Sequence, residues 1–301
     1  MSEFKLVIPR VVVALMFLVI LKPSLCHAGI QEYDDLARQI NLNQPAERII
    51  SLAPNITELL FHIGAGEQLV GADEYSNYPE DAKSLVRVNN HAMANYELIL
   101  SLKPDIVFAW HSGNGDLIIN RLRELGLKVF TIEIATMDQL PVLFEKLGRL
   151  TGNNEKGSEA ASNFALRLDT IRQKYSKKKS VRTFYQIWDD PIMTFNQDHL
   201  ISDVIKLCGG INVFNQSIPL VPRVNIESVI DTDPEVILSS GSEDRVFAWR
   251  KKWQRWGAIS AVKNDHLYLV PPDLLQRQSS RILDGASYVC EFIGKARQSN
   301  D

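Results

Sequence analysis

Three short segments combine aromatic rings with hydrogen-bonding side chains: Tyr75-Ser76-Asn77-Tyr78-Pro79, Trp110-His111-Ser112-Gly113-Asn114 and Trp188-Asp189-Asp190-Pro191. A tryptophan or tyrosine offers a flat apolar face with a polar edge, suited to stacking on a flat ligand. One such ring is ordinarily core. Three, each after a run that reads as a strand, predict a ligand cleft, because open α/β sheets bind at the carboxyl ends of their strands. Trp249, Trp253 and Trp256 differ: their helical spacing predicts one packed face. His111 beside Ser112 raises nucleophilic hydrolysis, but neighbours in sequence are not a triad and no G-x-S-x-G elbow accompanies them. Gly64-Ala65-Gly66 follows a helical pattern and lacks the third glycine of a dinucleotide fingerprint. No Walker sequence, H-E-x-x-H or C-x-x-C occurs, and His62, His91, His111, His199 and His266 are scattered. The expected chemistry is binding without turnover, with no catalytic residue, metal site or enzymatic cofactor. An exported hydrolase using His111 and Ser112 is the alternative of a different class.

One internal repeat is sharp. Glu97 to Val107 (ELILSLKPDIV) and Glu227 to Ile237 (ESVIDTDPEVI) each run from a glutamate through six residues to proline, an acid and an apolar strand. Proline breaks the short helix that the glutamate opens. A carboxylate there is favoured by the helix dipole, and capping is its ordinary role. A matched pair, one per half, also predicts a two-point docking surface.

The elements around these residues alternate. Strands are expected at 48–52, 69–72, 105–109 and 128–132, and helices at 56–63, 96–102, 117–125 and 139–150, with Asn55 or Thr57 capping the first helix. Residues 155–177 contain no proline, and Ala161, Phe164, Leu168, Ile171 and Tyr175 form a helical stripe. That is a helix of roughly 35 Å, long enough to link two domains. Alternation resumes with strands at 181–187, 236–238 and 267–270 and helices at 200–207, 246–256 and 282–293. The expected fold is α/β: two Rossmann-like lobes joined by one long α-helix. Residues 29–153 form the N-terminal lobe, 154–178 the linking helix and 179–301 the C-terminal lobe. Lys174, Lys177, Lys178, Lys179 and Arg182 crowd the end of that helix and read as a solvated helix terminus.

The whole chain of 301 residues has 45% hydrophobic and 23% charged residues and a net charge of −3, a globular balance that gives nucleic-acid binding no support. Its start reads as a secretory signal: Lys5 and Arg10 precede the apolar run 11–21, too short to span a bilayer. Cleavage is expected after Ala28, giving a periplasmic protein of 273 residues; a lipoprotein acylated at Cys26 and an uncleaved anchor are the alternatives. The mature part holds 30 basic against 35 acidic side chains, a net charge of −5. It keeps two cysteines, Cys208 and Cys290, and export favours one disulfide over two buried thiols.

Arg48-Ile49-Ile50-Ser51-Leu52-Ala53-Pro54-Asn55-Ile56-Thr57-Glu58, Gly71 to Pro79, Glu97 to Asp105, Cys208 to Phe214 and Trp256 to Asn264 resemble the periplasmic binding proteins with a rigid interdomain helix, over nearly all of residues 46–295. Ala109-Trp110, the Gly-Asn that follows and Asp273 to Arg277 are similar to the corrinoid-binding branch of that family. The resemblance implies a corrinoid, cobalamin, held between two lobes and delivered to an ABC permease dimer with its ATPase subunits by a monomeric carrier. It implies ligand contacts at Tyr75, Trp110, Asp273, Leu274, Leu275, Gln276 and Arg277; Trp188 joins them on the loop argument above. It also implies permease docking through Glu97 and Glu227, and a Cys208–Cys290 disulfide. His91, Met193 and Val221 stand where that branch carries large aromatics. Haem or a ferric siderophore is the alternative ligand; His91 reads as a polar loop histidine, with cobalt coordination its alternative.

Overall fold

The computed structural model describes residues 29–90, 93–241 and 243–299, without the side chains of 243–245. The expected signal peptide with Cys26, and His91, lie outside the described residues. The elements in order are β1 (Ile30–Tyr33), β2 (Gln39–Leu42), β3 (Ile49–Ser51), α1 (Pro54–His62), β4 (Leu69–Asp73), β5 (Arg87–Asn89), α2 (Tyr96–Ser101), β6 (Ile106–Trp110), α3 (His111–Glu124), β7 (Val129–Ile132), α4 (Gln139–Thr151) and α5 (Asn154–Tyr175). Then follow β8 (Val181–Gln186), β9 (Trp188–Asp189), β10 (Ile192–Met193), α6 (Leu200–Leu207), β11 (Gly210–Asn212), α7 (Ile226–Thr232), β12 (Val236–Ser240), α8 (Glu243–Trp253), α9 (Ser260–Lys263), β13 (Leu267–Val270), α10 (Pro272–Leu275) and α11 (Ile282–Ser299).

Two parallel sheets organise the chain. The first has the order β5-β4-β3-β6-β7 and the second β11-β8-β12-β13. Their strands are continuous apolar runs because helices cover both faces. Ile106 to Ala109, for example, is buried throughout. In each sheet the chain winds outward one way and then the other, so the crossover reverses between β3 and β6 and again between β8 and β12. Crevices open at such reversals.

The first helix corrects one expectation. Ala53 is its N-cap, and neither Asn55 nor Thr57 caps it. Pro54 supplies the helical φ at the first position, where its missing N–H costs nothing. Thr57 lies inside the first turn, and its hydroxyl bonds the Ala53 carbonyl. A second correction concerns 117–125: α3 begins at once after Trp110 and is kinked at Gly115, whose φ of 74° and ψ of 157° suit glycine. A third concerns the Trp188 segment, which pairs as the antiparallel ribbon β9–β10.

The hairpin β1–β2 was not anticipated. It is tied down by Asp34, whose buried carboxylate accepts from the Leu36, Arg38 and Thr131 N–H groups and from Arg123. Helix α5 packs lengthwise on α4. The crossing is close because a Cβ on Gly157 would meet the Phe144 carbonyl oxygen at 2.7 Å and the Gly148 Cα at 3.0 Å. Cys208 at the end of α6 and Cys290 in α11 form a disulfide, resolving the cysteine alternatives in favour of the bridge.

Candidate functional site

At the first reversal the Trp110 turn is built by Asn114. Its Oδ1 accepts from the Trp110 N–H at 2.7 Å, and its Nδ2 donates to the Leu52 carbonyl at 2.8 Å, joining the ends of β3 and β6. Asn89 donates to the same carbonyl from β5. The Trp110 ring lies against Gly113, where any Cβ would fall 2.1 Å from a ring atom. Its indole Nε1 is buried without a hydrogen-bond partner. A buried donor left over costs about 1–3 kcal/mol, so Trp110 carries unspent hydrogen-bonding capacity as well as a ring.

Tyr75 follows β4 and is 51% exposed. Its backbone N–H donates to Asp73, whose other carboxylate oxygen accepts from Asn89. Burial pushes the Asp73 carboxyl up, and these bonds offset that only in part.

The second reversal is organised by Gln186 at the end of β8. Its Oε1 accepts from the indoles of Trp249 at 2.8 Å and Trp253 at 2.9 Å, its Nε2 donates to the Trp188 carbonyl, and its own carbonyl accepts from Ser239. Trp249 and Trp253 therefore pack as their spacing predicts, while Trp256 keeps more than a third of its surface exposed. Trp188 presents a largely exposed ring, held by an indole bond to the Asp190 carbonyl at 3.0 Å.

Asp273 to Arg277 begins in α10. The Leu275 side chain faces the core at 1% exposure; the apolar side of this short turn packs inward with Ile282 and Leu283. Asp273 and Gln276 are exposed and Leu274 is half-buried. Arg277 reaches across to the first lobe. It donates to Asn77 Oδ1 at 2.7 Å, to Glu58 at 2.9 Å and to the Tyr75 carbonyl, and pairs with Asp273 at 3.2 Å. The structure thus brings the Tyr75 loop and the Arg277 segment together. Trp110 ends β6 of the first sheet and Trp188 opens the ribbon β9–β10 that follows β8; among the described residues no hydrogen bond joins the two.

Glu58 was missed as a site residue. It lies on α1 with its side chain 2% exposed. It accepts from Arg277, from Arg281 Nε at 2.9 Å and Nη2 at 2.6 Å, and from Ser279 Oγ at 2.7 Å. The Arg281 guanidinium also stacks 3.8 Å over the Tyr78 ring. Burial alone would lower the Arg281 pKa; the Glu58 bond and charge outweigh it and hold the group above its ordinary value. The available signal was a carboxylate among Ile56, Leu59 and Leu60, since a buried charge needs a partner. Behind this lock lies a cavity of about 420 Å³. Its charges are already paired, Arg167 with Asp284 and Arg281 with Glu58, so it offers little to a charged ligand.

The hydrolase pair is not assembled. Ser112 Oγ donates to Glu133 at 3.0 Å and His111 Nε2 faces Asp116 at 3.2 Å, with no hydrogen bond between His111 and Ser112. Among the described residues no cluster of three metal-ligating side chains occurs. Glu97 and Glu227 are exposed in the first turns of α2 and α7 and make no hydrogen bond or ion pair among the described residues. The caps are asparagines: Asn95 accepts from the Leu98 N–H at 3.0 Å and Asn225 from the Ser228 N–H at 2.8 Å. The glutamates are thus relieved of the capping role.

The model of the periplasmic binding protein family matches residues 49–274. The chain is 40% identical over 255 residues to the vitamin B12-binding protein of Vibrio cholerae, covering 84% of this chain and 91% of that one. It is 35% identical over 248 residues to the vitamin B12-binding protein of Yersinia pestis, covering 82% and 86%. The crystal structure of the periplasmic vitamin B12 binding protein of Vibrio cholerae superposes with a TM-score of 0.79 at 40% identity, over 84% of this chain and 98% of that chain.

Proposed function

The chain belongs to the periplasmic binding protein family, and from that premise we propose that it captures cobalamin between its two lobes and delivers it to an ABC permease. The carrying observation is the meeting of the Tyr75–Asn77 loop with the Asp273–Arg277 segment, with Trp110 and Trp188 at the strand ends on either side. A corrin is a flat apolar plate rimmed by amide side chains. Tyr75, Trp110 and Trp188 offer ring faces for the plate. Asp273 accepts from amide N–H groups, Arg277 donates to amide carbonyls, and Gln276 does both. Leu274 adds apolar contact at the rim.

Residues 29–153, 154–178 and 179–301 are read as lobe, linking helix and lobe. The first 28 residues direct export to the periplasm, where the carrier works as a monomer. Glu97 and Glu227 meet two cations on the permease dimer, which works with its ATPase subunits; charge-assisted carboxylate bonds are strong and directional. Calorimetric titration of the mature protein with cyanocobalamin, haem and ferric siderophores tests the ligand. Saturable binding of cyanocobalamin at one site is expected. Binding of haem or a ferric siderophore in its place would overturn the corrinoid reading.

A further inference from the structure

The register that relates Glu97 to Glu227 does not stop at the strands. Asn95 and Asn225 cap, Pro104 and Pro234 break, and β6 and β12 follow, each pair 130 positions apart. The same interval carries Leu117 on α3 to Phe247 on α8. Leu117 is 84% exposed and Phe247 76% exposed. Each stands two residues before an inward-turned side chain, Ile119 in one helix and Trp249 in the other. A single exposed leucine or phenylalanine needs no explanation. Two at the same register of an internal repeat, both outward, do.

Their placement gives the explanation. Ile99 of α2 and Ile118, Ile119 and Leu122 of α3 share one apolar cluster on the first sheet, so α2 and α3 lie on one face of it. Val229 of α7 and Trp253 of α8 share the corresponding cluster on the second sheet. Helices α2 and α7 lead into β6 and β12, and α3 and α8 leave them, so all four begin at the carboxyl edge of their sheets. Each lobe therefore presents, on that face, an exposed carboxylate in the first turn of one helix and an exposed apolar side chain midway along the next.

Resting on the delivery function proposed above, we infer that Leu117 and Phe247 are the apolar members of the docking surface. Each seats in an apolar socket on one half of a two-fold permease, beside the cation that takes Glu97 or Glu227. A duplicated patch fits a duplicated receptor. Charge selects this occupant over a second copy of the chain: Glu97 and Glu227 are both negative, and face-to-face self-association would set like charges together. The carboxylates orient the encounter, and the buried side chains supply the hold.

The test uses the mature protein and its own ABC transporter in nanodiscs. Leu117→Asp, Phe247→Asp and the double variant are compared with the conservative Leu117→Met and Phe247→Leu. Affinity for the transporter is measured by surface plasmon resonance with ligand-free protein, and cyanocobalamin affinity by calorimetry. Each aspartate variant is expected to weaken transporter binding about tenfold and the double variant about a hundredfold. Cyanocobalamin affinity and melting temperature should stay at wild-type values, and the conservative variants should dock normally. Unchanged transporter affinity in the double variant overturns the inference. So does a parallel loss of cyanocobalamin affinity, which would put the two residues in the cleft. Sedimentation of the wild type as a dimer that Phe247→Asp dissociates would make a second copy the occupant. A wild type that docks but does not bind cyanocobalamin would sink the corrinoid reading alone.

Discussion

Glu58→Ala removes the one carboxylate that accepts from Arg277, Arg281 and Ser279 at once. Taking away one partner of a buried ion pair costs about 3–5 kcal/mol, because the other charge is left unpaired. Here the arginine side chains keep 14% and 19% exposure, so water takes part of the load. Arg277 also retains Asn77 and Asp273, and Arg281 retains the Tyr78 ring. The expected loss is therefore about 2–4 kcal/mol. At roughly 2–4 °C per kcal/mol for a chain of this size, the melting temperature should fall by about 4–16 °C. Glu58→Gln keeps the shape and some acceptance but loses the charge, and should cost about 1–2 kcal/mol. Both arginines reach Glu58 from more than 200 positions away, so the calorimetric transition of Glu58→Ala should also broaden as the lobes uncouple. A melting temperature within about 1 °C of wild type would refute the reasoning. Wild-type behaviour of Glu58→Gln would refute the part assigned to charge.

Trp110→Ala should weaken cyanocobalamin binding by about 1–3 kcal/mol through loss of a ring face, while a folded variant with unchanged calorimetric affinity would make Trp110 core. His199 caps α6 through Nδ1, stacks on Phe195, and is held neutral by burial with its pKa lowered to about 4. The unfolded chain takes up that proton first as pH falls through about 6.5, so stability is full above that value and declines toward pH 4. The His199 share of the loss between pH 7 and pH 5 is about 2 kcal/mol, and denaturant titrations at both pH values should show a smaller difference for His199→Asn. Reduction of Cys208–Cys290, which span 82 positions, should lower stability by as much as about 4–5 kcal/mol on the chain-entropy model; equal denaturation midpoints with and without reductant would refute this.

The long periodic elements were legible. Helix 200–207 and strand 267–270 fall where their patterns put them, because each buries a regular apolar face. Short strands were not: β5 and β11 have three residues each, too few to display a period. The hairpin β1–β2 escaped because its stabilising contacts are the bonds of Asp34 to Arg123 and Thr131 and of Arg149 to Glu32, which lie far along the chain. In the candidate site the ring-bearing turns could be found, since tryptophan and tyrosine beside glycine, proline and asparagine mark themselves. The lock at Glu58 could not, because it depends on two arginines from the turn between α10 and α11, more than 200 positions away. Leu275 entered the ligand set on a matched motif alone, and that its side chain is aimed at the core by one turn of helix is nothing a five-residue match displays.

The glycine crossing of α4 and α5 has a mechanical consequence. With Gly157 seated against the Phe144 carbonyl and Gly148, the long helix is a beam built into the first lobe. The other end of the helix is tied as well: residues 176–180 join it to β8, and the Lys179 carbonyl accepts from Arg297 of α11 at 2.6 Å. Glu58 adds a second tie, between α1 and the Arg277–Arg281 segment. A rotation of one sheet against the other has to work against both ties, and adding or removing a residue at 176–180 would set them against each other.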